Sequence, residues 1–222
     1  MEKMVKIRSK HPIQSAIKRL FDLFFSLLLL PLFLLFLPII AFLIKIDSTG
    51  PIFFRDERMG RLGHPFKCWK FRTMVLDADA HSPAVGEHDE RITRVGHWLR
   101  KTSLDELPQI INILKGDMSM VGPRPALLSL AGQYTPHQAY RLQVRPGLTG
   151  WLQINGRNTL PYEERLEYDI WYAHNWTILL DLKILLKTPV VVLSQKGIYH
   201  PVVAEKAVAP AAVSTSLPIN QE

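Results

Sequence analysis

Cysteine is almost absent from the sequence, which has Cys68 as its one thiol in 222 residues. A single cysteine excludes a disulfide framework and any zinc site built on several thiolates. The common nucleotide and nucleophile motifs are missing as well: there is no G-x-x-x-x-G-K-[ST] loop, no G-x-G-x-x-G turn and no G-x-S-x-G elbow. His81, His88 and His97 lack the spacing of metal ligands. Phosphate chemistry in this chain would therefore depend on arginines, a hard metal ion and backbone amides.

Acidic residues are scarce relative to basic ones in the first half of the chain. Residues 1–103 hold 17 Lys and Arg against 10 Asp and Glu, whereas residues 104–222 hold 10 of each. The formal net charge of +7 thus lies entirely in the first half. Such an excess favours an anionic partner, which could be a phosphate, a lipid headgroup or a nucleic acid.

Long hydrophobic runs are limited to residues 20–44, which only Asp22, Ser26, Pro31 and Pro38 interrupt. The run is longer than the apolar core of a signal peptide, which has roughly 7–15 residues. It also lacks the polar stripe of a helix that packs in the core of a small domain. A membrane segment is the best interpretation.

Two prolines bear on whether this segment spans the membrane. A straight helix of 25 residues would be about 37 Å long, enough to cross an apolar layer of roughly 30 Å. Pro31 and Pro38 divide it into arms about one leaflet deep, and basic residues flank it in both 1–19 and 45–64. The positive-inside rule then favours a re-entrant helix with both flanks in the cytosol. A spanning helix that tolerates its prolines is the alternative.

Periodicity in the rest of the chain predicts an α+β, predominantly helical domain. Residues 51–74 indicate a small β-hairpin that turns at 60–63, and a polar surface loop is expected over 75–97. Helices are expected over about 104–115, 126–142, 161–174 and 177–194. The predicted organisation is a basic N-terminal segment (1–17), a re-entrant membrane helix (18–46), a cytosolic domain (47–198) and a disordered tail (199–222).

An acidic pair, Asp105 and Glu106, stands at the expected start of the helix over 104–115. Ser103 and Glu106 match a capping box, so one interpretation is that the pair only caps the helix. The other interpretation is chemical. Arg100 lies nearby, and an ionised carboxylate at a helix N-terminus is a possible nucleophile or a ligand for Mg²⁺.

Three more arginines occur in loops shaped by glycine and proline: Arg124 in Gly-Pro-Arg-Pro, Arg145 before Pro-Gly-Leu-Thr-Gly-Trp, and Arg157 after Gly156. Such loops either form ordinary turns or present guanidinium groups for bidentate phosphate binding. The sequence leaves both interpretations open.

Several longer motifs resemble those of a known family. They are Lys-Arg-Leu-Phe-Asp at 18–22, Pro-Ile-Phe-Phe-Arg-Asp-Glu-Arg-Met-Gly at 51–60, Lys-Phe-Arg-Thr-Met at 70–74, Leu-Asp-Glu-Leu-Pro-Gln at 104–109, Leu-Lys-Gly-Asp-Met-Ser-Met-Val-Gly-Pro-Arg-Pro at 114–125, Arg-Pro-Gly-Leu-Thr-Gly-Trp at 145–151, Asn-Gly-Arg-Asn at 155–158 and Leu-Asp-Leu-Lys at 180–183. In this order, over residues 18–198, the chain resembles the bacterial sugar transferases, small monotopic phosphoglycosyl transferases that act on polyprenyl phosphate.

The resemblance implies a reaction and a place for it. Enzymes of this family transfer a sugar 1-phosphate from a UDP-sugar to undecaprenyl phosphate and release UMP, the first membrane step in the assembly of a surface polysaccharide or glycoconjugate. The catalytic domain would face the cytosol at the bacterial inner membrane, in contact with membrane lipids. The sequence leaves the oligomeric state open, with a homodimer as one option. No nucleic-acid partner is implied.

The resemblance also assigns residues. Asp105 would attack the sugar-side phosphorus and carry a phosphosugar intermediate, and Glu106 would bind Mg²⁺. The basic residues expected to bind substrate phosphates are Lys70, Arg72, Arg100, Arg124, Arg145 and Arg157.

Two positions depart from the family pattern. Leu34 and Leu35 stand where the family usually has Ser-Pro at the bend of its membrane helix, so the bend is expected to be displaced or softer. Asp56 stands where the family commonly has Gln.

Two rival classes stay open on the sequence. A membrane-tethered nucleic-acid-binding module would use the basic first half together with Phe66, Trp69 and Phe71. The acidic pair counts against it, since carboxylates repel phosphates unless a metal intervenes. A non-catalytic scaffold is the third class. The sugar itself, whether glucose, galactose or an N-acetylated or deoxy sugar, is open as well.

Overall fold

The computed structural model of the protein describes residues 12–76, 78, 86, 89–195 and 197–198. Its first helix, α1 (Pro12–Asp47), contains the whole apolar run and continues through Pro31 and Pro38. Among the described residues, α1 is the one helix long and apolar enough to cross a membrane. It begins six residues before the predicted boundary at 18. Most of the predicted basic segment, all of the predicted disordered tail, His81 and His88 lie outside the described residues.

One face of α1 packs on the rest of the protein near both of its ends. Close to the start, Asp22 accepts hydrogen bonds from Ser119 Oγ (2.8 Å) and from the Met120 N–H (3.0 Å). At the end, Asp47 accepts one from the Val95 N–H (2.8 Å). The opposite face exposes large apolar side chains at helical spacing, among them Leu20, Phe24, Leu28, Leu35, Ile39 and Phe42. An exposed apolar surface of this extent is what a lipid environment would cover.

The predicted hairpin is confirmed. β1 (Phe53–Met59) and β2 (Pro65–Phe71) pair antiparallel, with Phe53 opposite Phe71 and Met59 opposite Pro65. A 3₁₀ turn at Arg61–Gly63 joins them, as the turn predicted at 60–63 requires.

The predicted loop over 75–97 ends early, because α2 (Arg94–Thr102) begins within it. The Thr93 side chain caps α2 by accepting a hydrogen bond from the Gly96 N–H (3.0 Å). Gly96 lies against the chain that follows β2, where a Cβ would come within 2.1 Å of the Thr73 carbonyl oxygen. This close approach brings the end of α2, and the acidic pair after it, next to the hairpin.

The helix predicted over 104–115 is divided into two parts. A 3₁₀ turn at Leu104–Glu106 comes first, and α3 (Gln109–Lys115) follows. Pro108 separates them, since it has no N–H to continue the hydrogen-bond ladder. Gly116 ends α3 in the left-handed region (φ 94°), as the sequence predicts.

The next forty residues form short elements: β3 (Ser119–Val121), β4 (Ala126–Leu127), α4 (Pro136–Ala139), β5 (Gly147–Thr149) and α5 (Trp151–Asn155). β4 adds to the hairpin in the order β2-β1-β4, and β3 pairs parallel with β5. The single helix predicted over 126–142 is wrong. Gly132 takes a left-handed conformation (φ 85°) that breaks the helical periodicity, and Thr135 starts a new helix with a capping box.

Two long helices complete the fold. α6 (Tyr162–Asn175) and α7 (Ile178–Ser194) confirm the periodicity predicted over 161–174 and 177–194. The core has two clusters, one around Ile113, Met118 and Tyr172 and one around Phe71 and Leu99. α1 contributes to both, so it is part of the core of the α+β domain as well as its apolar surface.

Candidate functional site

The acidic pair lies where the hairpin, the 3₁₀ turn and the loop after β3 meet. Glu106 Oε1 is 2.8 Å from Lys70 Nζ and 3.3 Å from Arg124 Nη2. Ser103, in a left-handed conformation (φ 56°), makes no side-chain capping bond. The interpretation that Ser103 and Glu106 form a capping box is therefore wrong, and Glu106 instead pairs with two cations from distant segments.

A buried asparagine fixes this arrangement. Asn112 on α3 accepts a hydrogen bond from the Trp69 N–H (3.0 Å) and donates one to the Lys67 carbonyl (2.8 Å). These bonds attach β2 to α3, and Lys70 is thereby held beside the turn that carries Glu106.

The two carboxylates have opposite pKa shifts. Burial raises the pKa of Asp105, the negative charge of Glu106 raises it further, and the result is a pKa of about 6. For Glu106, burial alone would raise the pKa, but the positive charges of Lys70 and Arg124 outweigh it and lower the pKa below its ordinary value. At neutral pH Asp105 is mostly ionised and is the more basic of the two, which suits a nucleophile. Glu106 is fully ionised at neutral pH.

Glu106 lines one side of a small cavity with Lys70 and Arg124, and three residues that sequence reasoning missed line it too: Arg58, Cys68 and Gln109. Gln109 is 2% exposed, and its Oε1 has no hydrogen-bond partner. Spacing could have indicated it, because Gln109 follows Glu106 by three residues and shares its face. Cys68 is buried, and burial raises the pKa of its thiol, so it is no nucleophile.

Asp56, one of the two departures from the family pattern, acts on this cavity through Arg58. Its carboxylate forms an ion pair with the Arg58 guanidinium, which also donates to the Pro125 carbonyl (3.2 Å). Asp56 thus helps to hold a cavity-lining cation in place.

Two of the remaining predicted arginines lie within electrostatic range of the pair. Arg100 Nε donates to Thr73 Oγ1 (2.9 Å), and its charge acts to lower the pKa of Asp105. Arg157 follows Gly156 in a left-handed conformation (φ 54°). Burial and the charge of Arg124 lower the pKa of Arg157, while both carboxylates act to raise it.

The other two predicted arginines lie elsewhere. Arg72 donates to the carbonyls of Ser48 (2.8 Å) and Thr49 at the end of α1. Arg145 Nε donates to the Gly116 carbonyl (2.9 Å) at the end of α3. The structure gives both a contact that stabilises a helix end, and their role in substrate binding stays a prediction.

The backbone of Arg124 is fixed by a second arginine, Arg141, which is buried. Arg141 Nη2 donates to the Arg124 carbonyl (2.7 Å) and forms an ion pair with Asp169, which is 2% exposed. Arg141 Nη1 also donates to Tyr134 Oη (2.9 Å). This network fixes the Gly-Pro-Arg-Pro loop, so that the Arg124 guanidinium points to Glu106 at little entropic cost.

Oxygen atoms suited to a hard cation are present in the site. Within the part of the chain that the structure describes, no group of three or more His, Cys, Asp and Glu side chains converges as a metal site. The Glu106 carboxylate and the unpartnered Gln109 Oε1, which line the same cavity, nevertheless offer hard oxygen ligands. Mg²⁺ commonly takes one or two carboxylates and completes its shell with water and substrate phosphates. The residues present therefore fit Mg²⁺.

Comparison with known proteins shows the family of the chain. The model of the bacterial sugar transferase family matches residues 13–195. An uncharacterized sugar transferase, EpsL of Bacillus subtilis, is 44% identical over 182 residues, which cover 82% of this chain and 90% of that protein. The chain therefore belongs to the bacterial sugar transferase family and is a phosphoglycosyl transferase.

Several longer relatives have names that state their substrates. The UDP-glucose:undecaprenyl-phosphate glucose-1-phosphate transferase of Escherichia coli is 44% identical over 78% of this chain and 39% of its own length. The UDP-galactose-lipid carrier transferase of Erwinia amylovora is 42% identical over 82% of this chain and 42% of its own length. The chain thus spans about two fifths of these longer relatives.

Proposed function

We propose that the protein transfers a sugar 1-phosphate from a UDP-sugar to undecaprenyl phosphate and releases UMP. The observation that carries the proposal is the acidic pair. The pKa of Asp105 is raised, which makes its carboxylate the better nucleophile, and the neighbouring Glu106 forms ion pairs with Lys70 and Arg124. The names of the relatives support the substrates. A nucleic-acid-binding module is not favoured, because the family match and the names of the relatives indicate sugar transfer.

The charges in the site support the following proposed reaction. A carboxylate oxygen of Asp105 forms a bond to the sugar-side phosphorus of the UDP-sugar. The bond from that phosphorus to the bridging oxygen breaks, and UMP leaves with the electron pair. Arg124, with Arg100 and Arg157, neutralises the negative charge that develops on the phosphate oxygens. A phosphate oxygen of undecaprenyl phosphate then attacks the same phosphorus and releases the Asp105 carboxylate.

Glu106 and Gln109 would hold Mg²⁺ beside the diphosphate. When bound, Mg²⁺ supplies further charge neutralisation of the phosphate oxygens. Because Lys70 and Arg124 lower the pKa of Glu106, its carboxylate is ionised at neutral pH, as a metal ligand requires.

The proposed topology is a re-entrant α1 with both ends on the cytosolic side of the inner membrane. Asp22 near one end and Asp47 at the other bind the same domain, so a helix that spans the membrane would have to carry part of that domain with it. The exposed apolar face of α1 would lie among lipids, with the catalytic cavity at headgroup level. In this position the enzyme would begin the assembly of a surface glycan, as the names of two exopolysaccharide production relatives suggest.

The deciding experiment is UMP release by the purified full chain with undecaprenyl phosphate, Mg²⁺ and a panel of UDP-sugars. We expect release with at least one UDP-sugar, dependent on the lipid phosphate, and none from Asp105→Asn. Salt-sensitive DNA binding without UMP release from any donor would instead support the nucleic-acid rival.

A further inference from the structure

A second group of basic residues lies at the C-terminal end of α3, away from the acidic pair. Arg19 of α1 donates from Nη1 to the Ile113 carbonyl (2.5 Å) and from Nη2 to the Leu114 carbonyl (2.8 Å). Arg145 Nε donates to the Gly116 carbonyl (2.9 Å). Both guanidinium groups therefore meet at the end of the same helix.

Arg61 completes the group, which we term the arginine cluster (Arg19, Arg61 and Arg145). Its Nε donates to the carbonyl of Gln143 (3.0 Å), two residues before Arg145. The pKa of Arg145 is lowered by burial and then by the charges of Arg19 and Arg61. Asp22 is the one carboxylate among the described residues that acts to raise it, and Asp22 already accepts two hydrogen bonds from β3.

Helix capping explains only part of the cluster. The carbonyls at the end of α3 attract cations, which accounts for Arg19 and for Nε of Arg145. Helix capping does not explain why Arg61 lies here, and it gives no partner to the terminal nitrogens of Arg61 and Arg145. Within the described part of the chain, none of the three arginines forms an ion pair with an acidic side chain. Three like charges held together in this way favour an external anion.

The position of the cluster on α1 indicates which class of molecule would carry the anion. Arg19 directly precedes Leu20, which is 67% exposed and belongs to the exposed apolar face of α1, as do Ile13 and Ile17 before it. The cluster thus lies beside the N-terminal part of this face, where the proposed placement of α1 at the membrane would bring it to lipid headgroups. It is also separate from the catalytic cavity, since Gln109 and Glu106 lie at the other end of α3, about 10 Å away along the helix axis.

We propose that the arginine cluster binds the phosphate group of a membrane lipid. The inference rests on the proposed placement of α1 at the membrane and not on the transfer reaction. Guanidinium forks bind phosphate oxygens bidentately, and the backbone contacts of Arg61 and Arg145 through Nε leave their terminal nitrogens for that contact. A lipid held there would anchor the start of α1 and set the depth of the catalytic cavity.

The test is lipid binding by the full chain in detergent, measured by calorimetry or native mass spectrometry. The ligands are dioctanoyl phosphatidylglycerol, a short-chain polyprenyl phosphate, and dioctanoylglycerol, which lacks phosphate. Arg61→Gln and Arg145→Gln should each weaken binding of a phosphate lipid about tenfold, the loss of one charge-assisted contact. Arg55→Gln removes an exposed arginine outside the cluster and should change binding less than twofold. The phosphate lipid that responds to the cluster variants identifies the natural ligand.

Equal weakening by Arg55→Gln, or equal binding of dioctanoylglycerol, would overturn the proposal. If Arg145→Gln melts early because its contact with Gly116 is lost, Arg61→Gln decides alone. UMP release measured on the same samples separates the two proposals: lipid binding that depends on the cluster, without transfer, would refute the reaction only.

Discussion

At the scale of single residues, the neighbouring carboxylates of Asp105 and Glu106 differ in pKa. Asp105 and Glu106 share one turn, but Lys70 and Arg124 both contact Glu106. The cations therefore stabilise the charge of Glu106 most, while burial and the Glu106 charge make Asp105 the better base. This asymmetry supports the proposed roles, with Asp105 as the nucleophile and Glu106 as the metal ligand.

Asp105→Asn should abolish UMP release and leave the protein folded, because the amide keeps the size of the side chain but is not a nucleophile. Since folding raises the pKa of Asp105 from 3.8 to about 6, its contribution to stability is fully present below about pH 4 and is lost as pH rises through 6. Asn does not ionise, so the variant should melt higher than the wild type at pH 8 but not at pH 4. Thermal unfolding at both pH values measures this, and near wild-type turnover would refute the mechanism.

Glu106→Gln should lower turnover by about a hundredfold or more, since it removes the proposed metal ligand and an oriented charge. It should also move the acidic limb of the pH–rate profile, set near pH 6 by Asp105, to lower pH, because the Glu106 charge raises the pKa of Asp105. EDTA should abolish wild-type activity, and Mg²⁺ should restore it. Full turnover in EDTA, or an unmoved acidic limb, would contradict the assignment.

At the scale of elements, a buried ion pair joins the first helix to the last. Lys18 Nζ of α1 is 2.5 Å from Asp181 Oδ2 of α7 and donates to the Val121 carbonyl (3.0 Å), while Tyr172 Oη donates to Asp181 Oδ1 (2.6 Å). Asp181 is fully buried. These contacts hold α1, β3, α6 and α7 together at one point.

Lys18→Met should lower the free energy of unfolding by about 3 kcal/mol or more, because it leaves the Asp181 charge buried without a cation. Adding Asp181→Asn should recover much of the loss, since the amide is neutral and still accepts from Tyr172. Denaturant unfolding in detergent provides the double-mutant cycle. Additive losses in the double variant would show that the two residues do not interact.

The topology of α1 can be tested with a thiol N-terminal to it. A cysteine in place of Val5, in a Cys68→Ser background, should resist a membrane-impermeant thiol reagent in intact cells and react after lysis. The wild type is the control, because Cys68 is buried and burial raises its pKa. Efficient labelling of intact cells would mean that α1 spans the membrane.

For the whole molecule, the membrane helix and the catalytic domain share one core. Phe33, Ile40 and Ile44 of α1 are each at most 3% exposed and belong to the same cluster as Phe71 and Leu99. The apolar helix is therefore a structural part of the domain that carries the acidic pair.

A chain of residues 48–198, without α1, should fail to fold, because three of its core positions lose their packing partners and Asp22 no longer binds β3. Near-UV circular dichroism of this chain should lack the signal that the full chain shows in the same detergent. A cooperative unfolding transition in the truncated chain would show that α1 is a dispensable anchor.

The amino-acid sequence by itself determined those features that depend on neighbours a few residues apart. The hairpin, α6, α7 and the end of α3 at Gly116 follow from periodicity and turn chemistry. The motif around Asp105 and Glu106 predicts the reactive pair, and that assignment stays a prediction. The prediction of one helix over 126–142 was wrong, and the cause is also local: Gly132 and the cap at Thr135 override a weak helical periodicity.

Only the tertiary structure decided which cations meet the pair. Lys70 and Glu106 are 36 residues apart, and Lys18 and Asp181 are 163 apart, so no local pattern joins them. Arg145 looks like Arg124 and Arg157 in sequence, yet it lies with Arg19 and Arg61 at the far end of α3. Gln109 differs from an ordinary helix-start residue only because packing buries its amide oxygen without a partner. Charge alone indicates an anion site, but where a guanidinium group points depends on the packing of the segments that carry it.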